Sequence, residues 1–208
     1  MSLNFALSRY FNTNEPSSTL AINEQVKARW AQGHRLLHMG FGESRFAVHE
    51  KLHAALCEHA SQKSYLPSKG DPALCASVAS YYNIKSGLDI NASQVIIGPG
   101  SKALIYAVQL ALGADLFLPT PSWVSYAPQA RLLGLQHFYI PQGKQFGCHF
   151  ELAALDELIR RSTNDNKLLI INSPNNPTGQ MYPAEFLQAL ADYCRQHKIL
   201  VISDEIYG

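Results

Sequence analysis

The chain has 208 residues, of which 47% are hydrophobic and 16% charged, a composition typical of a globular protein with a buried core. A formal net charge of +1, with lysines and arginines scattered along the chain, gives no electrostatic reason to expect binding to nucleic acid or an anionic membrane. The four cysteines lack metal or redox spacing, and the first residues lack the pattern of a secretory signal peptide. We therefore expect a cytoplasmic protein without a metal site.

The sequence of residues 1–82 predicts a polar arm followed by short elements. Residues 1–18 are polar, and residues 36–39 predict a short strand that runs into a glycine-containing turn. Helices are predicted at residues 20–30, 48–59 and 72–82. Asp71 and Pro72 give the last of these helices a cap and a first-turn proline. We assign residues 1–46 to an N-terminal arm and small-domain segment, and residues 47–208 to a large domain.

From residue 94 onward, short apolar strands alternate with amphipathic helices. The strands are predicted at residues 95–97, 116–118, 136–140, 168–171 and 199–202, and the helices at 101–112, 126–133, 151–161 and 183–197. Such alternation is typical of an α/β fold, in which a mostly parallel sheet carries helices on both faces.

Polar residues follow the last two predicted strands, at the point where each strand ends. Asn176 belongs to a Pro-Asn-Asn-Pro turn after the first of them, and Asp204 and Tyr207 follow the second. Because open α/β sheets bind ligands at the carboxyl ends of their strands, these side chains should share one crevice. An amide, a carboxylate and a phenol together suit a planar, hydrogen-bonding aromatic cofactor. Taken singly, Asn176 could serve only the turn and Asp204 could cap a helix.

The segment Gly98-Pro99-Gly100-Ser101-Lys102-Ala103 lies between a predicted strand and a predicted helix, where backbone N–H groups can hold a phosphate. It also fits a dinucleotide-binding pattern, which requires an acidic residue at the far end of the next strand. That strand ends in Pro119-Thr120-Pro121, so a phosphate site is favoured, and a plain strand-to-helix turn is the structural alternative. Trp123, just beyond, offers a flat face for an aromatic ring, although packing alone could explain it.

On these motifs the sequence resembles the first half of a class I/II aminotransferase, a pyridoxal-phosphate enzyme of fold type I. Residues 175–179 (Asn-Asn-Pro-Thr-Gly) and 203–207 (Ser-Asp-Glu-Ile-Tyr) match the two most specific motifs of that family residue for residue. Residues 40–43 resemble its Gly-x-Gly-Glu-Pro, with Ser44 replacing the proline. Tyr65, Gly70 and Leu74 resemble its Tyr-x4-Gly-x3-Leu-Arg, with Cys75 in place of the arginine.

The resemblance implies a role for each matching residue around pyridoxal 5′-phosphate. Gly100, Ser101 and Lys102 would hold the phosphate, and Trp123 would stack on the ring. Asp204 would pair with the ring nitrogen. These roles make the chain a cofactor-binding polypeptide.

Further residues are implied in catalysis, substrate binding and assembly. Tyr207, with Asp204, would act in catalysis, and Tyr207 and Asn176 would both bond the 3-hydroxyl oxygen of the ring. Gly42 and Asn176 would lie near the substrate, an amino acid or a 2-oxo acid. Tyr65 would reach the phosphate of a neighbouring subunit, which implies a homodimer.

The same resemblance leaves parts of an aminotransferase unaccounted for. In the family, the lysine that forms the Schiff base follows the Asp-x-x-Tyr motif, and no lysine of this chain occupies that place. The family strand order (first, seventh, sixth, fifth, fourth, second, third) would leave the first strand without neighbours and the fifth with an open apolar edge. We expect an N-terminal part of an aminotransferase, inactive alone and with a large domain incomplete at its C-terminal end. The alternatives are part of a carbon–sulfur lyase of the same fold, and a non-catalytic cofactor-binding or dimer-forming remnant.

Overall fold

The computed structural model describes residue 6 and residues 9–11, 18–39, 46–143 and 149–208, with the side chains of residues 11 and 18–20 left aside. The chain divides into two compact units, Met1–Ser68 and Lys69–Gly208. A domain boundary at residues 46/47 stays a prediction. The predicted substrate residue Gly42, with its motif at residues 40–44, lies outside the described residues.

The described residues of the first unit include two α-helices, α1 (Ser18–Ala31) and α2 (Glu50–His59), and a short 3-10 helix at Arg9–Phe11. The strand predicted at residues 36–39 is not observed, because no described segment runs beside it as a strand. Instead the indole N–H of Trp30 donates a hydrogen bond to the Leu36 carbonyl at 3.2 Å. Tyr65 lies in this unit with a fully exposed side chain.

The second unit alternates helices and strands, as the apolar pattern predicts. Its elements are α3 (Pro72–Ser86), α4 (Ser101–Leu112), β1 (Asp115–Pro119), α5 (Tyr126–Leu132), β2 (His137–Ile140), α6 (Leu152–Arg161), β3 (Lys167–Asn172), α7 (Ala184–Gln196) and β4 (Ile199–Asp204). Asp71 caps α3, since its side chain accepts a hydrogen bond from the Leu74 N–H at 2.9 Å. A local signal therefore sets where α3 begins.

The four strands form one parallel sheet in the order β2-β1-β3-β4. This order agrees with the family order, in which the third, second, fourth and fifth strands are adjacent. The strand predicted at residues 95–97 is wrong, because a strand needs a neighbour and no described strand lies beside this segment. It is held by another contact, from the Ile97 N–H to the Lys69 carbonyl at 2.8 Å.

Both faces of the sheet are covered, so strand residues alternate between two cores. Phe117 and Leu169 pack on the side of α6 and α7. The strand residues on the opposite face pack with α4 and α5. They are Leu116, Leu118, Leu168, Ile170 and Ile202. Ile170 is directly opposite Ile202, and two residues further on Asn172 is opposite Asp204. Because strand side chains repeat every two residues, Asn172 and Asp204 both emerge on the α4/α5 face.

Strand β4 has β3 as its one neighbour among the described strands. Leu200 is 49% exposed and Val201 36% exposed. The predicted fifth strand, which is β4, therefore has the open apolar edge that the sequence predicts. In the part of the chain that the structure describes, no helix has the length and apolar character needed to cross a membrane.

Candidate cofactor site

A cleft of about 240 Å³ lies near Thr120 and Tyr182. Among the described residues that line it, His149 is the one with an acidic or basic side chain, and its ring stacks on Phe186. A smaller cleft of about 110 Å³, at the carboxyl ends of β3 and β4, is chemically richer. It gathers five residues that the sequence predicts for a cofactor, together with three others: Ser101, Trp123, Asn176, Asp204 and Tyr207, then Tyr126, Asn172 and Ile206. The smaller cleft is the candidate site because carboxylate, amide, phenol and indole groups converge there.

Asp204 is 8% exposed, and its carboxylate is held from two sides. The Tyr126 hydroxyl donates to its Oδ2 at 2.6 Å, and the Ile206 backbone N–H donates to its Oδ1 at 3.2 Å. The side-chain amide of Asn172 donates to the Asp204 carbonyl at 2.8 Å, which fixes the end of β4 against β3. A carboxylate has about four acceptor positions, so two donors leave it able to bind a third group in the cleft.

Tyr126 begins α5 and is almost wholly buried beneath the cleft. Burial raises the pKa of the Tyr126 phenol far above its ordinary value, and the hydrogen bond to Asp204 and the charge of that residue raise the pKa further. The phenol is therefore protonated throughout the pH range in which proteins usually work. It remains a hydrogen-bond donor to Asp204.

Asn176 and Tyr207 form a second polar pair at the mouth of the cleft. The Asn176 backbone N–H donates to Oδ1 of Asn172 at 2.6 Å, which anchors the turn after β3. Its side-chain amide donates to the Tyr207 hydroxyl at 3.0 Å. These bonds leave the second N–H of the amide, the amide oxygen and the hydroxyl proton as groups that a bound molecule could use.

The N-terminus of α4 supplies unpaired backbone donors. The N–H groups of Ala103 and Leu104 both point back to the Gly100 carbonyl. Those of Ser101 and Lys102 have no hydrogen-bond partner among the described residues. Gly100 has φ 91° and ψ 152°, a conformation that residues with a side chain avoid. The helix start is thus shaped to receive an anion such as a phosphate.

The indole of Trp123 is held in place by its neighbours. Its ring meets the Tyr126 ring edge to face, with centroids 5.2 Å apart and an interplanar angle of 78°. The Lys102 ammonium lies 5.5 Å from the centroid of the indole. Below, the Gln129 side-chain amide donates to the Lys102 carbonyl at 2.9 Å, which ties α5 to the first turn of α4.

Most of the predicted site residues come together. Gly100 and Lys102 flank the Ser101 wall of the cleft, and Tyr65 belongs to the other compact unit. Sequence reasoning missed Tyr126 and Asn172. Asn172 could have been found as a polar residue at the end of an apolar strand. For Tyr126 the sequence offered no local signal, because its partner Asp204 lies 78 residues away.

A sequence model of the aminotransferase class I and II family matches residues 35–208. The chain belongs to the class I and II aminotransferase family. This confirms the resemblance seen in the two motifs around Asn176 and Asp204. The family comprises transferases of amino-acid metabolism.

Individual aminotransferases align with nearly the whole chain. The aspartate aminotransferase of Geobacillus stearothermophilus is 38% identical over 197 residues, 92% of this chain and 49% of the relative. The asparagine–oxo-acid transaminase of Streptococcus mutans is 31% identical over 208 residues, 97% of this chain and 52% of the relative. The chain therefore spans about half the length of these relatives. Their names favour amino transfer over the lyase alternative.

Solved aminotransferases share the fold. The structure of aspartate aminotransferase from Thermus thermophilus with maleate superposes with a TM-score of 0.87 at 30% identity, covering 98% of this chain and 54% of that one. The predicted fold class, a mostly parallel sheet with helices in the manner of fold type I, is confirmed.

Proposed function

We propose that this chain forms the pyridoxal-phosphate-binding half of an aminotransferase that moves an amino group between an amino acid and a 2-oxo acid. One observation carries the proposal: the Asp204 carboxylate, the Asn176–Tyr207 pair, the Trp123 indole and the Ser101 helix start border one cleft. An aromatic ring with a basic nitrogen, a hydroxyl and a phosphate has a complement for each group in that set. The residues present therefore fit the cofactor.

Each residue would act by binding, orienting or holding a proton. Asp204 would accept a hydrogen bond from the protonated ring nitrogen and so keep that nitrogen charged. The Asn176 amide and the Tyr207 hydroxyl would bond the ring oxygen, and the unpaired N–H groups of Ser101 and Lys102 would bind the phosphate. Trp123 would cover one face of the ring and exclude water from it. Pyridoxal phosphate, when bound, supplies the ring that withdraws electrons from the substrate α-carbon.

The substrates and the assembly are further parts of the proposal. The names of the relatives suggest aspartate and asparagine as the first amino donors to assay. A homodimer is supported by Tyr65, a fully exposed tyrosine at a family motif position. Gly42 as a substrate contact and the cytoplasmic location stay predictions.

Binding of pyridoxine 5′-phosphate tests the proposal. This analogue lacks the aldehyde, so it does not react with surface lysines. In a Trp30→Phe background Trp123 is the single tryptophan, and its fluorescence reports a ring placed against it. We expect saturable quenching that is weakened at least tenfold by Asp204→Ala and unchanged by Asp192→Ala, which removes an exposed carboxylate on α7. Equal affinity for pyridoxine 5′-phosphate in the Trp30→Phe protein and in its Asp204→Ala and Asp192→Ala variants would exclude this site.

A further inference from the structure

The strongest hydrogen-bond donor to Asp204 is a side chain that the proposed function leaves without a role. The Tyr126 hydroxyl lies 2.6 Å from Oδ2 of Asp204, although 78 residues separate the two in the sequence. Tyr126 is 1% exposed, and its ring packs against Trp123. A ligand in the cleft would meet the carboxylate, and the phenol would remain behind it.

We propose that Tyr126 is a positioning residue that keeps the Asp204 carboxylate anionic, so that the proton shared with the bound cofactor rests on the ring nitrogen. This inference rests on the proposed function. The proposed function assigns Asp204 to the ring nitrogen. Tyr126 is the group that decides whether the nitrogen or the carboxylate carries the shared proton.

The physical reason is the competition between two forms of a buried pair. In a medium of low dielectric constant, a neutral acid beside a neutral ring costs less desolvation than a carboxylate beside a charged ring. Hydrogen bonds donated to the carboxylate favour the charged form instead. Tyr126 gives one such bond and the Ile206 N–H the other, but the Ile206 bond is longer, at 3.2 Å.

The surroundings leave this task mainly to Tyr126. The raised pKa of its phenol keeps it a donor at neutral and mildly alkaline pH. Tyr207 also lines the cleft, and its hydroxyl oxygen accepts a hydrogen bond from the Asn176 amide. The Lys102 ammonium lies over the Trp123 ring.

The test follows the ring nitrogen itself. Pyridoxine 5′-phosphate labelled with ¹⁵N in the ring is bound to the full chain, and its ¹⁵N chemical shift, which separates protonated from neutral pyridine, is recorded against pH. In Tyr126→Phe, at a pH where the wild-type ring is protonated, we expect the ¹⁵N shift to move toward the neutral-pyridine value because the ring proton transfers to the Asp204 carboxylate. The ratio of the charged pair to the neutral pair should fall about tenfold, the effect of one hydrogen bond to a charged group. The matched control is Tyr193→Phe, because the Tyr193 hydroxyl donates to Asp156 at 2.9 Å between α7 and α6.

A second protein covers the case in which Tyr126→Phe does not fold. Replacing Tyr126 by 3-fluorotyrosine keeps the shape and makes the phenol a stronger donor, so the proton should rest more fully on the ring nitrogen and the ¹⁵N shift should move further toward the protonated value. An unchanged ¹⁵N shift in both altered proteins, with the wild-type ring protonated, would overturn the role of Tyr126 and leave the proposed function standing. A wild-type chain that does not bind the ligand, or whose bound ring titrates like the free ligand, would overturn both.

Discussion

The Asn176 side-chain amide donates a hydrogen bond to the Tyr207 hydroxyl at 3.0 Å. This contact connects the loop after β3 with the loop after β4, and the Asn176 backbone is itself fixed by Asn172. The two groups are thus placed as a pair before any ligand binds. A ligand oxygen that bonds both of them would meet donors that are already oriented.

Such pre-orientation predicts that Asn176 and Tyr207 are coupled. Asn176→Ala and Tyr207→Phe should each weaken binding of pyridoxine 5′-phosphate, and the double variant should lose less than the sum of the two. A shared hydrogen bond corresponds to a coupling of about 0.5–1.5 kcal/mol. The measurement is a double-mutant cycle of dissociation constants. Strictly additive losses would show that the two side chains act independently.

Asp204 and Ser101 should differ in the step that they affect. We expect this in a chimera in which an aminotransferase relative supplies the sequence beyond Gly208. Asp204→Ala should lower kcat by about a thousandfold, since it removes the charge partner of a buried group. Ser101→Ala removes one of several phosphate donors, worth about 1.5–3 kcal/mol, mainly in cofactor affinity. The assay is kcat at saturating pyridoxal phosphate, and a wild-type kcat in Asp204→Ala would contradict the assignment.

The two glycines before α4 should be needed for different reasons. A Cβ at Gly98 would lie 2.6 Å from Cδ2 of Leu104, whereas a Cβ at Gly100 would meet nothing within 4 Å. Gly98→Ala should therefore be partly rescued by Leu104→Ala. Gly100→Ala should cost about 1–3 kcal/mol through its backbone conformation alone, with no rescue. Urea unfolding gives the free energy of unfolding of each single variant and of each double variant with Leu104→Ala. If Leu104→Ala restored stability to Gly100→Ala, the backbone explanation would be refuted.

Burial raises the pKa of the Cys194 thiol to about 11, from an ordinary value of 9.0. At neutral pH the buried thiol should then contain about a hundredfold less thiolate than an ordinary one. Iodoacetamide should modify the exposed Cys57 long before Cys194, and urea should abolish the difference. Equal labelling of the folded chain would contradict the prediction.

The same pKa shift fixes the sign of a stability change. The unfolded chain loses the thiol proton near pH 9, whereas the folded chain keeps it to about pH 11. The contribution of Cys194 to the free energy of unfolding is therefore full below pH 9 and is lost as the pH rises to 11. In Cys194→Ala this part of the alkaline decline should be missing.

Elements with local signals could be predicted, and those that depend on distant partners could not. Helix α4 was predicted at residues 101–112 as observed, because Gly100 and Gly113 flank an unbroken apolar helix pattern. The segment 95–97 has the composition of a strand, but its pairing depends on strands elsewhere in the sequence. Composition indicates that a segment can pair and says nothing about whether a neighbour is present.

The site shows the same division. Asp204, Asn176 and Tyr207 could be predicted because each lies in a motif that follows a strand. Tyr126 could not be predicted, because an aromatic residue at the start of a helix is usually a hydrophobic core residue. Its partner also lies 78 residues further along the chain. Only the folded sheet shows that its hydroxyl meets a carboxylate.

The pairing of Asn172 with Asp204 across β3 and β4 restricts where this chain can change length. Outside the Asn176 turn, helix α7 and the loops beside it could gain or lose residues, because the strands they connect would still align. One residue inserted within Lys167–Asn172 or Ile199–Asp204 would instead turn the terminal amide or carboxylate to the α6/α7 face. Evolution and engineering can therefore vary the spacing between these strands outside that turn, while the count of residues inside each strand is fixed by the chemistry at its end.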